Sequence, residues 1–530
     1  MSNGFASVDY GARSLRRGLA SLSLSRAFDR SPATVTVALI LISLAVRTVF
    51  SLSIGLGVDE SYSLANARDL QMSYFDHPPL HLWIAHLAEG LFGNGRLARL
   101  PFVAMFAGTT WMMFRFGERL FGATAGAWAA LALNLAGFFT VAAGQWILPD
   151  GPLMFCLAGA ACSVAALVKP NDRSGANEWR DWLALGLWLG AAGLAKYQAA
   201  GFAVGLALFF ATMPKHLKLL RRPAPYAAMA LALCVVAPVL IWNAQNGWVS
   251  FLFQASRGAQ GHVWKPDHVL TMVVGQILYL LPWVFVPLVW STVKAMRSGR
   301  GNESRWLCLC LGVPSIALVT LAPLLGPAGL PHWGMAGWLM LFPLVGEMLA
   351  RNADAHAWPQ RWAQVSTALL VGFCALLASH TATGWVKVVA PSLFAKGDPT
   401  VESLEWNELG SELVKRGLLN RAAFVVALRW NEAGKIELAL DHALPVMVFT
   451  QDPRNYAFRA DPAAYVGRDA VVVALARTME ENIDLLRPYF SELTPSAPVT
   501  IKRNGRPEIV LRVLYARHLS TPYPLPYPVR

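Results

Sequence analysis

Three carboxylate segments and one lysine mark the chain, each where apolar sequence gives way to polar. Asp59-Glu60 directly follows the first long apolar run. Asp76 stands in Tyr74-Phe75-Asp76-His77-Pro78-Pro79, in the polar stretch after it. Asp150 lies in Leu148-Pro149-Asp150-Gly151-Pro152, at the head of another apolar run, and Lys196-Tyr197-Gln198 closes a further one. Charged groups at the rim of a membrane domain are costly and are functional by default. Two successive carboxylates suit proton abstraction, with Asp59 as the base and Glu60 orienting it or raising its pKa as a like charge. A lysine suits an anion, and Arg257 and Lys265 in a facing loop add cationic charge. Singly, each residue also has a structural reading. Asp59 and Asp150 could be interfacial helix caps, and Lys196 could be an anchor that snorkels to headgroup level. Their gathering on one side favours chemistry.

Two weaker groupings share that side. Asp76, His77 and His262 combine oxygen and nitrogen donors, so a divalent metal ion is one expectation there. His332-Trp333, with Trp264 and Trp283, offers ring faces to a small polar ligand, although Trp is also ordinary composition at a membrane interface. No nucleotide-binding motif accompanies them, and no nucleotide cofactor is expected.

The elements that must position these residues are membrane helices. Of 530 residues 55% are hydrophobic and 15% charged, against about 25% charged in a soluble chain. Apolar runs long enough to cross a bilayer, roughly 20 residues each, recur near 33–55, 98–115, 123–142, 151–168, 182–195, 198–213, 225–242, 269–291, 306–325, 333–350 and 362–383. That predicts a polytopic α-helical membrane protein of about eleven spans. The net charge of +13 does not point to nucleic acid, because the basic residues crowd alternate loops. Lys215, Lys218, Arg221 and Arg222 form one such group, and Lys294, Arg297, Arg300 and Arg305 another. By the positive-inside rule these loops are cytoplasmic. The expected topology is a cytoplasmic segment 1–32, a transmembrane catalytic domain 33–384 with outer loops 57–97 and 243–268, and a periplasmic domain 385–530. Ser- and Arg-rich residues 1–30 resemble a targeting peptide, but the following run is too long for a signal h-region and reads as an uncleaved anchor. The six cysteines all lie in apolar runs, which leaves no disulfide framework in the outer domain. Loop 57–97 is amphipathic and predicts helices lying on the outer membrane face. No internal repeat is visible.

After residue 385 the pattern changes. Strands are expected at 424–428, 445–449, 470–474 and 509–516, with helices at 431–440 and 480–490, giving a small soluble α/β domain.

The order Asp-Glu after the first run, Tyr-Phe-Asp-His-Pro-Pro-Leu, Pro-Asp-Gly-Pro and then Lys-Tyr resembles the bacterial branch of the protein O-mannosyltransferase superfamily, which includes lipid A aminoarabinose transferases. The likeness covers about 35–345. It extends more weakly to Arg429-Trp430-Asn431-Glu432-Ala433. The resemblance implies a C-type glycosyltransferase fold in the bacterial inner membrane and a sugar donor carried on polyprenyl phosphate. It implies that Asp59 is the catalytic carboxylate and that Asp76 matches the acid before the Pro-Pro pair. His77 stands where the aminoarabinose enzymes have Lys. Such a donor already carries its leaving group, so the residues need to supply a base for the acceptor hydroxyl and cations for the phosphate. Lys196 and Tyr197 would lie at that phosphate. An envelope lipid (lipid A or core oligosaccharide) is the expected acceptor and a protein hydroxyl the alternative. A non-catalytic lipid or sugar transporter is disfavoured, because the ionisable residues gather at helix ends rather than mid-membrane.

Overall fold

The computed structural model describes residue 28 and residues 30–93, 95–170, 175–259, 265–324, 329–395 and 397–527. The expected N-terminal segment therefore lies almost wholly outside the described residues, as do His262 and Trp264. Helices dominate up to Thr383. In chain order the longer ones are α1 (Pro32–Ser53), α2 (Val58–Ala67), α3 (Leu80–Phe92), α4 (Leu100–Phe121), α5 (Ala123–Asn134), α6 (Asp150–Val168), α7 (Gly175–Ala195), α8 (Ala199–Thr212), α9 (Pro223–Gln245), α10 (Val249–Ala259), α11 (Pro266–Leu280), α12 (Pro282–Ser298), α13 (Glu303–Leu321), α14 (Phe342–Ala353) and α15 (Trp358–Thr383).

The eleven apolar runs do not become eleven straight spans. Among the described residues six helices are long and apolar enough to cross a membrane, or up to nine if three bent pairs each count as one. Run 269–291 breaks at Leu281, whose φ of +69° is a left-handed conformation, and Pro282 follows with no N–H to continue the ladder. The two halves, α11 and α12, meet at 111°. Run 123–142 splits into α5 and a five-residue helix, Gly137–Val141. These breaks leave no regular period in the sequence, so hydropathy alone passes over them.

Position in the bundle follows side-chain size. The spanning window of α6 is 83% buried and that of α1 17%, so α6 is central and α1 faces lipid with Leu41, Ile42, Val46 and Val49 exposed. Small residues let helices close on one another. A Cβ at Gly117 of α4 would lie 2.8 Å from the Gly126 Cα of α5.

After α15 the chain builds a five-stranded sheet, β1 (Phe424–Ala427), β2 (Val446–Val448), β3 (Ala470–Leu475), β4 (Phe490–Arg503) and β5 (Arg506–Leu519), in the order β2-β1-β3-β5-β4. β1 pairs in parallel with β2 and β3, whereas β5 runs antiparallel to β3 and β4. Helices α16 (Asn407–Lys415), α17 (Trp430–Ala439) and α18 (Ala476–Leu486) cover it. The Val-rich strands β1 to β3 and both expected helices are present. β4 was missed because it is a largely exposed edge strand carrying Pro495 and Pro498, and proline is tolerated only at such edges. Asn504 and Gly505, at φ +48° and +77°, close its hairpin in the manner of an Asn-Gly turn.

The soluble domain sits directly on the loop after α1. Helix α17 crosses α2 so closely that a Cβ at Gly434 would lie 2.5 Å from the Tyr62 nitrogen. Eight of the ten α2 residues are buried, so α2 does not lie on the membrane face as the sequence suggested. α3 suits that role, with Leu87, Leu91 and Phe92 exposed.

Candidate active site

The turn that delivers Asp59 is pinned from below by a buried ion pair. Arg99, just before α4, donates to both carboxylate oxygens of Glu60 at 2.7 and 2.5 Å. Its remaining N–H groups reach the carbonyls of Ser51, Ile54 and Gly55 at 2.6 to 2.9 Å. Glu60 also accepts from the Gly57 and Ile147 backbone nitrogens at 2.9 and 3.1 Å. Its oxygens are thus committed to Arg99 and the backbone. Glu60 fixes the turn and meets Asp59 as a neighbouring charge rather than through a hydrogen bond of its own. From above, Lys435 of α17 donates to the carbonyls of Leu56 and Leu404. Burial there pulls the Lys435 ammonium down to about 8, against the pull of Glu60 and Glu405.

Asp59, in the first turn of α2, reaches solvent, but from a recess with protein on most sides. Lost hydration, then Glu402, Asp76 and Glu60, outweigh the opposing Arg454, and its carboxyl is pushed up to about 6. That suits a base working near neutrality. Asp76 is buried and held from both domains. The Tyr62 hydroxyl donates to one oxygen at 3.0 Å and the Arg454 guanidinium to the other at 3.3 Å. Arg454 comes from the soluble domain and lies 4.5 Å from the Trp430 ring centroid, while Trp430 meets Tyr62 edge-on. Trp430 belongs to the tail segment singled out in the sequence.

Asp150 begins α6 and is buried against Lys196, whose ammonium donates to both its oxygens at 2.9 Å. This pair neighbours the first group. His77, His332 and Lys196 all act electrostatically on Asp150, and Tyr279 of α11 feels both Asp150 and Asp59. His77 meets His81 edge-on at 5.7 Å. Burial, then His77, pull the His81 imidazole down to about 3, so it stays neutral. His332 stacks on Phe138 at 6.1 Å. Tyr197 packs on Phe251 at 5.4 Å.

The structure therefore gathers Asp59, Asp76, His77, Asp150, Lys196 and His332 at one end of the bundle, beneath the soluble domain. Lys265 is exposed just before α11, Trp333 lies beside His332 in the turn Pro331–Gly334, and Arg257 lies within α10. Trp283 donates to the Leu135 carbonyl at 3.1 Å. Among the described residues no three His, Cys, Asp or Glu side chains group to hold a metal. Asp76 is poorly suited to one, since both its oxygens already face donors, one of them cationic. His262, its expected partner, lies outside the described residues.

Sequence reasoning missed Arg99, Tyr62, Arg454 and Arg47. Arg47 is buried in α1 and donates to the Phe139 and Thr140 carbonyls at 2.9 and 2.5 Å, bracing the segment that leads to Asp150. An arginine inside an apolar run was the available signal.

Residues 76–242 match the model of a family described as dolichyl-phosphate-mannose-protein mannosyltransferase. Among curated proteins none matches the chain significantly. Among solved structures, ArnT from Cupriavidus metallidurans bound to undecaprenyl phosphate is similar over 91% of this chain and 98% of its own, with 18% identity and a TM-score of 0.62. Its apo state matches over 90% and 98%, with 17% identity and a TM-score of 0.61. The Archaeoglobus fulgidus oligosaccharyltransferase is more distant, at 12% identity, 89% and 76% coverage and a TM-score of 0.47. The chain has the C-type glycosyltransferase fold and resembles the protein O-mannosyltransferase superfamily, as its motifs led us to expect.

Proposed function

We propose that this chain is a glycosyltransferase that moves a sugar from a polyprenyl-phosphate donor to an envelope lipid, such as lipid A or core oligosaccharide, on the outer side of the bacterial inner membrane. The observation that carries the reading is Asp59, a carboxylate poised near neutrality at the end of the bundle where the Asp150–Lys196 pair also lies. In the proposed reaction the acceptor hydroxyl gives its proton to Asp59 as its oxygen bonds to the sugar anomeric carbon. The bond from that carbon to the phosphate oxygen breaks on the opposite side, the polyprenyl phosphate leaves with the electron pair, and the configuration inverts. Lys196 spends two N–H donors on Asp150, and its third serves the phosphate. Because that ion pair is neutral overall, Arg257 and Lys265 supply the remaining positive charge, and His77, Tyr197, His332 and Trp333 line the donor site.

The deciding experiment is mass spectrometry of envelope lipids and glycoproteins from a deletion strain, with and without the complementing gene. Loss of a sugar from lipid A or core oligosaccharide supports the reading. Loss confined to glycoproteins overturns the lipid acceptor and favours a protein O-glycosyltransferase, which the family match over 76–242 supports. Orientation has its own test. An alkaline phosphatase fused after the last residue should be active, and one after Arg222 silent, if the soluble domain is periplasmic and the N-terminus cytoplasmic.

A further inference from the structure

The end of the bundle away from Asp59 carries a cavity of a different chemical character. Helix α4 starts beside Arg99 at the recess, and its 22 residues span about 33 Å at 1.5 Å per residue. At its far end Arg115 and Arg119 open onto a cavity of about 980 Å³, together with Arg180, Lys215, Lys218 and Arg222. Most of these cations have partners. Arg115 meets Glu118 at 2.6 Å, Arg180 meets Asp181 at 3.2 Å, Lys215 meets Glu303 at 2.6 Å, and Arg222 pairs with Glu178. Arg119 and Lys218 have no ion pair among the described residues, and the Arg119 Nε is sealed from solvent with no hydrogen-bond acceptor. A shielded guanidinium N–H without an acceptor is costly, and a compact anion would relieve it. Apolar residues line it as well, Ala166, Leu167 and Val168 of α6 and Leu219 of the turn Pro214–Arg221. The cavity therefore offers an apolar wall beside its cations, as an acyl chain requires.

We infer that this cavity is a binding site for the phosphate of an anionic phospholipid headgroup, drawn laterally from the leaflet opposite the proposed active site. Arg119 and Lys218 take the phosphate, and the neighbouring ion pairs hold the wall in shape. Basic pockets between helices on the cytoplasmic side commonly take such headgroups. The same phosphate chemistry could be met by a free anion, but the apolar residues that line the cavity favour the lipid. The inference does not depend on which sugar or acceptor the other face uses.

The test is native mass spectrometry of the full-length, delipidated protein in detergent, titrated with phosphatidylglycerol, phosphatidylcholine or inorganic phosphate. Wild type should take up phosphatidylglycerol at least about tenfold more tightly than phosphatidylcholine, the scale of one charge-assisted contact. Arg119→Gln with Lys218→Gln should abolish that preference. Lys218→Gln alone alters an exposed side chain, leaves folding intact and should lower the preference several-fold. Equal uptake of the two lipids by wild type, or an undiminished preference in the double variant, would overturn the site. Inorganic phosphate binding that depends on Arg119, without phosphatidylglycerol binding, would overturn the lipid as its source.

Discussion

Two buried ion pairs flank the recess, and they are built to opposite ends. In Glu60–Arg99 every polar atom is spent inside the protein, on the partner or on backbone groups of the turn before α2. In Asp150–Lys196 the carboxylate is matched but the ammonium keeps one donor, and His77 and His332 stand close enough to act on the pair. The first is closed and carries structure. The second, though also buried, is open in that one ammonium donor is left, which the proposed reaction gives to the phosphate. Asp59 lies between them, one residue from the closed pair yet open to solvent. Neighbouring acids at 59 and 60 thus serve different ends, and residue type alone does not tell them apart.

Substitutions can break or sharpen that contrast, and the largest effect falls on Asp59 itself. Asp59→Asn keeps size and hydrogen bonding but removes the proton acceptor. Loss of a general base typically costs about 10²–10⁴ in rate, so sugar transfer measured on purified protein should nearly vanish while donor binding persists. Near-wild-type turnover on a hydroxyl acceptor would sink the mechanism. The closed pair should respond in stability instead. Removing one partner of a buried ion pair costs about 3–5 kcal/mol, so Arg99→Ala should sharply lower the thermal midpoint in detergent. Turnover per folded molecule should fall far less than in Asp59→Asn. A stable but inactive Arg99→Ala protein would move Arg99 into the chemistry.

The open pair should lose stability as well, since Asp150 is left buried without its partner, but it should also lose turnover. Lys196→Ala removes a charge-assisted contact worth about 1.5–3 kcal/mol, so turnover should drop roughly ten- to hundredfold beyond any loss of folded protein. Lys196→Arg should recover part of it. An unchanged rate in Lys196→Ala would make this pair as closed as the other.

The smallest effect is a pH dependence. As the proposed base Asp59 must be ionised, and its carboxyl is raised to about 6, so turnover should climb through that pH and at pH 5 stand about tenfold below its plateau. The stability sign follows. A carboxyl raised on folding favours the folded state only while protonated, so stability is lost as pH rises from about 3.8 through 6. Asp59→Asn should therefore melt higher than wild type above pH 6 and equally below pH 4. A gain that persists at pH 3.5 would place its origin elsewhere.

The fold was largely legible because burial writes itself as composition. Apolar runs announced the helices, and Val-rich runs announced β1, β2 and β3. The breaks were not legible, since a left-handed Leu281 ahead of Pro282 leaves the hydropathy of 269–291 untouched. The site divided in the same way. Charges at helix ends stood out, and Asp59, Asp76, Asp150 and Lys196 do share one face. Their partners did not stand out. Arg99 lies 39 residues from Glu60 and Arg454 lies 378 from Asp76, and no local period links such positions. Only the fold brings the soluble domain's arginine to the membrane domain's aspartate.

The close crossing of Gly434 over Tyr62 sets an order of events during synthesis. The helix bearing Asp59 leaves the ribosome some 370 residues before the one that covers it, so it gains its roof only after the whole helical bundle has been made. Until then Ser61 and Tyr62 stand open, and the nascent protein holds the turn of the proposed base unfinished. A cysteine placed at Ser61 should react with a membrane-impermeant maleimide in chains stopped before residue 430 and be shielded in full-length chains. Equal labelling of both would mean that the turn is sheltered by the membrane half alone.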